Sequence, residues 1–396
     1  MKQLSLALFL LCDLFVSVDS ASAQAWSSNS VPQNPWYTTA SSADGNKLVA
    51  AAGGGSTGPI YTSTNSGASW TPTSAPVTNW YCVASSADGT KLVAAANDHP
   101  RGGRIYTSVN SGTTWTETSA PSNVWWTVAS SADGTKLIAA GSRNIPGLLY
   151  TSTNSGTTWT SNGVTSENWS AVACSADGAK MIALAGGNNS GVFTSTNFGA
   201  TWQSNSAPLS NLESVACSAD GNKLVVLAGD MNGRVFSSTS FGTSWVSNNV
   251  PVAYWSSVTS SADGTKLAAT ISGGGIYTSS DSGSTWISNN VPKAFWYSVA
   301  SSADGGKLAA VIKDFDRIYT LRTTPAPVLN IKPSGANLAL SWIVPSTNYV
   351  VQQITNLTSA NWSVVPITPT LNMTALQNQV ILPLSASNRF FRLKTP

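Results

Sequence analysis

Apolar and polar positions along this chain alternate in short runs, and the same order of runs returns again and again. The stretches are rich in Val, Ile, Thr, Tyr and Trp and are broken by Gly, Asn, Ser and Pro, which is strand and turn chemistry rather than helix. One unit reads as follows. Residues 80–86 predict a first strand, and Ala87-Asp88-Gly89 a tight turn in which the glycine can take positive φ. Residues 91–96 predict a second strand and 104–108 a third, with a variable loop between them. Asn110-Ser111-Gly112 is the next turn, Trp115 opens a fourth strand, and Pro121 ends the unit.

The unit repeats. Ser-Ala-Asp-Gly occurs seven times, with its Asp at 44, 88, 133, 177, 220, 263 and 304, so the period is 41 to 45 residues. A period of this size belongs to propeller blades or helical solenoids, and four short antiparallel strands per repeat select the blade. The seventh unit stops after its third strand, where Leu321-Arg322-Thr323 replaces the turn. The missing fourth strand is at the other end of the chain. Trp26-Ser27-Ser28-Asn29-Ser30-Val31-Pro32 resembles Trp286-Ile287-Ser288-Asn289-Asn290-Val291-Pro292, which is a fourth strand elsewhere. The N-terminal strand is therefore expected to complete the last blade, which leaves no open edge. The fold expected is all-β, a seven-bladed β-propeller closed by its N-terminal strand, with a small C-terminal β-sandwich.

The third-to-fourth turn resembles the Asp box, or BNR repeat, Ser-x-Asp-x-Gly-x-Thr-Trp. Ser279-Ser280-Asp281-Ser282-Gly283-Ser284-Thr285-Trp286 matches it throughout. Asn65, Asn110, Asn154, Asn197 and Ser240 replace the Asp in other units, while the Gly and Trp persist. The resemblance covers roughly residues 26–322. It implies a propeller of the kind found in sialidases, xyloglucan-type glucanases, sortilin-type receptors and photosystem assembly factors, and it does not choose among them. The box itself reads as structural: a short polar side chain bonds the backbone of its own turn, and the Trp supplies buried area.

The boundaries follow from these patterns. Residues 1–23 read as a signal peptide, with Lys2 at the positive end, a mostly apolar stretch and Ala21-Ser22-Ala23 as the cleavage pattern. The propeller is expected over 24–324. Pro325-Ala326-Pro327 marks a linker, and 325–396 read as five short strands of a β-sandwich. That module resembles the fibronectin-like C-terminal modules of secreted bacterial proteins, which implies a spacer, attachment or export role. Export to an extracellular or periplasmic location is the expectation, with no segment of membrane-span length. Cys82, Cys174 and Cys217 are expected as buried small side chains rather than a disulfide between the last two.

Charge narrows the function classes. Only 9% of the 396 residues are charged and the net charge is +3, so no electrostatic footprint for nucleic acid is present. Positions constant across units serve the fold, whereas positions that vary are free for another task. The second-to-third and fourth-to-first loops vary, and they share one face, so that face is the candidate for ligand contact. Its loops carry Asp98, Asp230, Asp314 and Asp316, which could act as acid, base or metal ligand, or simply as solvated loop charges. Trp36, Trp80, Trp125, Trp169, Trp255 and Trp296 open the innermost strands, with Tyr37, Tyr81, Trp126 and Tyr297 directly after four of them. A ring of aromatics there could stack on sugar rings. A large residue repeated in every blade also fits the space between blades, and packing is the favoured reading for the tryptophans.

Enzyme readings find little. A sialidase needs converging arginines, but Arg104, Arg234 and Arg317 open third strands, away from the axis, and Glu117, Glu167 and Glu213 are the only glutamates. A glucanase needs two carboxylates about 5–10 Å apart. His99 is the sole histidine, and no zinc spacing, nucleophile elbow, P-loop or dinucleotide motif occurs. No catalytic residue, metal site or cofactor is expected. The reading that remains is a secreted, non-enzymatic binding or scaffold propeller that recognises extracellular glycan or protein, with a glycoside hydrolase as the alternative.

Overall fold

The structure is a computed structural model. It describes residues 26–394 apart from 30, 99, 142–146, 165–166, 188–190, 207–209, 314–316, 323–328, 344–348, 356–360, 373 and 384–388. The expected signal segment 1–23 and the linker at 325–327 lie outside the described residues.

The described chain is all strand and turn. The first blade is one antiparallel sheet of Trp36–Ser41, Leu48–Ala52, Ile60–Ser63 and Thr71–Pro72, in chain order. Sheets of the same order open at Trp80, Trp125, Trp169 and Leu212. The sixth blade, opening at Trp255, keeps that order while its second strand, Leu267–Gly274, also pairs with the first strand of the seventh through Ser272 and Phe295. The seventh consists of Ala294–Ser301, Lys307–Ile312 and Ile318–Arg322, and Trp26–Asn29 is its fourth strand. There Ser28 pairs with Tyr319 and Trp26 with Leu321. Backbone pairing between the two ends of the propeller thus closes the circle, as the sequence predicts.

The turn Ser-Ala-Asp-Gly explains itself in this setting. Ser131 Oγ donates to Asp133 Oδ1 at 2.6 Å and accepts the Lys136 N–H at 3.0 Å, while the Thr135 N–H donates to Asp133 Oδ1 at 2.9 Å. Gly134 sits at φ 68, and a Cβ there would lie 2.7 Å from Lys91 Cδ of the preceding blade. The Lys91 ammonium in turn reaches the Asp133 carbonyl at 2.9 Å. The alanine of each turn donates its N–H to the alanine carbonyl of the next blade, from Ala43 to Ala87 at 2.7 Å and onward through Ala132, Ala176, Ala219 and Ala262 to Ala303. The Ala303 N–H then returns to the Ala43 carbonyl at 2.8 Å. This closed loop of hydrogen bonds surrounds the axis on one face, here called the constant face.

The third-to-fourth turns are held in the same local way. Ser152 Oγ accepts the Gly156 N–H at 2.9 Å, and Asn154 Oδ1 accepts the Thr158 N–H at 2.9 Å. Where Asp281 stands in place of asparagine, its Oδ1 accepts the Thr285 N–H at 2.8 Å, so the substitution keeps the bond.

Between blades the core is apolar. Second strands such as Leu92–Ala96 and Leu137–Gly141 are buried at every residue. Past the propeller, Asn330–Ser334, Asn337–Ile343, Gln377–Pro383 and Thr370–Asn372 form one sheet, and Ser363–Val364, Val350–Ile354 and Phe390–Lys394 another. Leu340, Trp342, Val351, Val380 and Leu382 are buried between them, which makes this unit a small β-sandwich. Cys82, Cys174 and Cys217 are free. Burial raises all three thiols, Cys217 to about 12, so they are protonated at neutral pH.

A candidate ligand cup on the variable face

The six strand-opening tryptophans are buried, and only Trp255 of them is among the residues that line the axial cup. Trp36, Trp80, Trp125, Trp169 and Trp296 have no exposed surface and Trp255 has 1%. Each stands edge-on to an aromatic ring of its own third strand, for example Trp125 to Tyr150 at 5.3 Å and Trp80 to Tyr106 at 5.5 Å. Trp80 also packs with Ile60 and Val49 of the preceding blade. As stacking sites for sugar, Trp36, Trp80, Trp125, Trp169, Trp255 and Trp296 are therefore corrected. Burying an indole between blades removes a large apolar area from water, and that demand recurs in every blade.

The residue after each tryptophan behaves differently. In all seven innermost strands the ladder slips between the opening residue and the one two places on, as from Trp36 to Thr38 and from Trp125 to Thr127. The skipped residue has no partner across the ladder. A bulge of this kind re-aims its side chain, and the seven skipped residues are Tyr37, Tyr81, Trp126, Ser170, Glu213, Ser256 and Tyr297. All seven line one axial cavity of about 460 Å³ on the variable face. That volume lies within the range of about 300–1,000 Å³ usual for small-ligand pockets.

The cup is lopsided. Over four neighbouring blades the rings run in series: Tyr297 to Tyr37 at 5.0 Å, Tyr37 to Tyr81 at 5.2 Å and Tyr81 to Trp126 at 4.8 Å. The other three blades supply Ser170, Glu213 and Ser256. Glycines from the loops press against these side chains. A Cβ on Gly54 would fall 2.0 Å from the Tyr37 ring, and one on Gly229 would fall 2.9 Å from Glu213 Cβ. The Lys313 ammonium lies 5.1 Å from the Tyr297 ring centre, a cation–π contact at the mouth. Below the skipped residues, Thr38, Ser214, Ser257 and Ser298 line the waist and accept N–H bonds from the next blade, so these hydroxyls serve closure.

The acidic candidates separate. Asp98 is exposed and is not among the residues that line the cup. Asp230 is turned into its own loop, where it accepts from Asn211 Nδ2 at 2.9 Å and from the Asn232 N–H at 3.0 Å. Asp314 and Asp316 lie outside the described residues. Arg104 pairs with Glu117 at 3.4 Å with both half exposed, and Arg317 reaches Ser28 Oγ, so neither points at the axis. Among the described residues, Glu213 is the one carboxylate lining the cup, and no group of three His, Cys, Asp or Glu forms a metal-binding set. Two opposed carboxylates, the requirement of a glycosidase, are not found among the described lining residues.

Sequence reasoning singled out Tyr81, Trp126 and Tyr297, and the structure brings all three together. Tyr37, named in the same aromatic series, joins them, whereas Glu213 was missed as a site residue. Aligning the seven units at the position after the strand-opening residue gives Tyr, Tyr, Trp, Ser, Glu, Ser, Tyr, and that divergence beside an almost constant neighbour is the signal that could have found it.

The propeller is similar to YCF48. The solved YCF48 from Cyanidioschyzon merolae superposes with TM-score 0.57 at 14% identity, over 76% of this chain and 98% of that one. YCF48 bound to D1 peptide gives TM-score 0.57 at 12% identity, over 76% and 97%. Identity this low establishes the propeller fold alone. No protein-family model matches the chain, and no curated protein does.

Proposed function

We propose that this chain is an exported, non-enzymatic Asp-box propeller that binds extracellular glycan in the axial cup of its variable face. The carrying observation is the split wall of that cup, aromatic over four blades and hydroxyl or carboxylate over three. A pyranose has the matching division. Its C–H face stacks on Tyr81 and Trp126, and its hydroxyls find acceptors in Glu213, Ser170 and Ser256. Export rests on the leader at 1–23, which frees a propeller of 24–324 and a module of 325–396.

The test is a glycan array probed with the purified chain and with a Tyr81→Ala/Trp126→Ala variant that keeps the native melting temperature. Binding by the native chain and loss in the variant support the proposal. Silence on arrays and polysaccharide gels, or binding that survives the double substitution, contradicts it.

A protein segment in the same cup is the second reading. One observation favours it: a similar solved propeller, YCF48, is bound to D1 peptide. That reading expects silence on glycans and signal on a peptide array, lost in the same double variant.

A further inference from the structure

The C-terminal sandwich carries an unusual turn. Between strands Thr370–Asn372 and Gln377–Pro383, Asn372 Oδ1 accepts the N–H groups of Thr374 and Ala375 at 3.1 and 3.0 Å, which shapes a tight reversal. Leu376 ends it at φ 50. Left-handed backbone is glycine or asparagine territory, because a Cβ crowds the neighbouring peptide there. A leucine in that position is costly twice over if its side chain projects into water.

It does not project into water. Leu376 packs against the buried pair Ala43 and Ala303, members of the closed alanine ring on the constant face, and Ala87 and Ala262 of the same ring pack against that pair beside it. It also lines the small cavity of about 170 Å³ at that mouth, together with the other ring alanines. The ring supplies a socket of methyl groups, and nothing polar on the leucine needs a partner.

We infer that the C-terminal module is a stopper: it seats Leu376 in the alanine ring and closes the constant-face mouth of the axial channel. The propeller is then open at one end, on the variable face. The module is a fixed part of the propeller body rather than a spacer. This inference stands apart from the ligand proposal, since it uses none of the cup residues.

Proximity is tested first, in the full chain. The double substitution Ala303→Cys/Leu376→Cys, oxidised at low protein concentration, should form an intramolecular disulfide that peptide mapping assigns to positions 303 and 376. Free thiols at both positions, or disulfides only between molecules, would overturn the inference. The second variant is Leu376→Gly. Glycine suits the left-handed backbone, so the module itself folds at least as well. If the leucine fastens the module, small-angle scattering will show a larger radius of gyration than for the native chain. An unchanged radius would mean that the side chain is not the fastening.

Discussion

The two faces of the propeller are built from the same repeats and obey different rules. On the constant face every blade carries the same turn, and each part of it touches an adjacent blade: the alanine through its backbone, the lysine through its side chain, the glycine through lack of one. On the variable face every blade carries the same bulge, but the neighbours of the bulged side chain differ from blade to blade, as Gly54 against Tyr37, Gly229 against Glu213 and Lys313 over Tyr297 show. Seven equal positions there hold four aromatics, two serines and one glutamate. Repetition marks where blades hold one another, and divergence at a fixed backbone position marks where they are free to meet something else.

Four variants can break or sharpen that contrast. The largest effect is expected between the blades. Trp125→Ala removes a fully buried indole and should cost about 3–5 kcal/mol in urea unfolding. A cost near that of an exposed site would mean the tryptophans are not the inter-blade packing.

Next comes the constant face. Gly134→Ala must place a Cβ against Lys91 at a positive φ and should cost about 1–3 kcal/mol. A neutral result would remove the close approach as the reason for the glycine.

The third effect is a pH dependence of the same turns. Burial alone would raise Asp88, Asp133, Asp220 and Asp263, but hydrogen bonds from the turn serine and from the residue two places on, with a lysine charge nearby, hold all four below the usual carboxylate range. A lowered pKa in the folded state adds stability above the unfolded value near about 3.9, and that stability is lost as pH falls through the folded pKa. Unfolding midpoints followed from pH 6 to 2 should therefore fall in acid. The variant Asp88→Asn/Asp133→Asn/Asp263→Asn should start lower and fall less. Parallel curves would contradict this.

The smallest effect on stability belongs to the cup. Trp126→Ala is expected to cost about 1 kcal/mol, well below the buried indoles, because its ring is only partly covered. A loss as large as that of Trp125→Ala would make Trp126 a packing residue.

Much of the fold was legible because it repeats. Seven Ser-Ala-Asp-Gly turns gave the blade count, and the likeness of the segment at Trp26 to the one at Trp286 placed the closing strand, which the Ser28 and Tyr319 pairing bears out. The site was half legible. A period of about 43 residues reports which positions are equivalent but not which way each points, and the strand alternation that would settle direction is broken by the bulge. Trp80 goes between blades, the favoured reading of its repetition, and Tyr81 goes to the axis, which the repetition alone did not decide. Nor could spacing show that Leu376 meets the ring formed by Ala43 and its equivalents, since the two are joined only through tertiary contact.

The division of labour between the faces is tested most directly by titrating one oligosaccharide, the strongest array ligand, into three chains: native, Tyr81→Ala/Trp126→Ala and Gly134→Ala. The account predicts a crossed result. The cup variant loses at least about tenfold in affinity, worth about 1.4 kcal/mol, with its melting temperature nearly kept, and the constant-face variant loses stability with its affinity kept. Affinity and stability that fall together in both variants would contradict it.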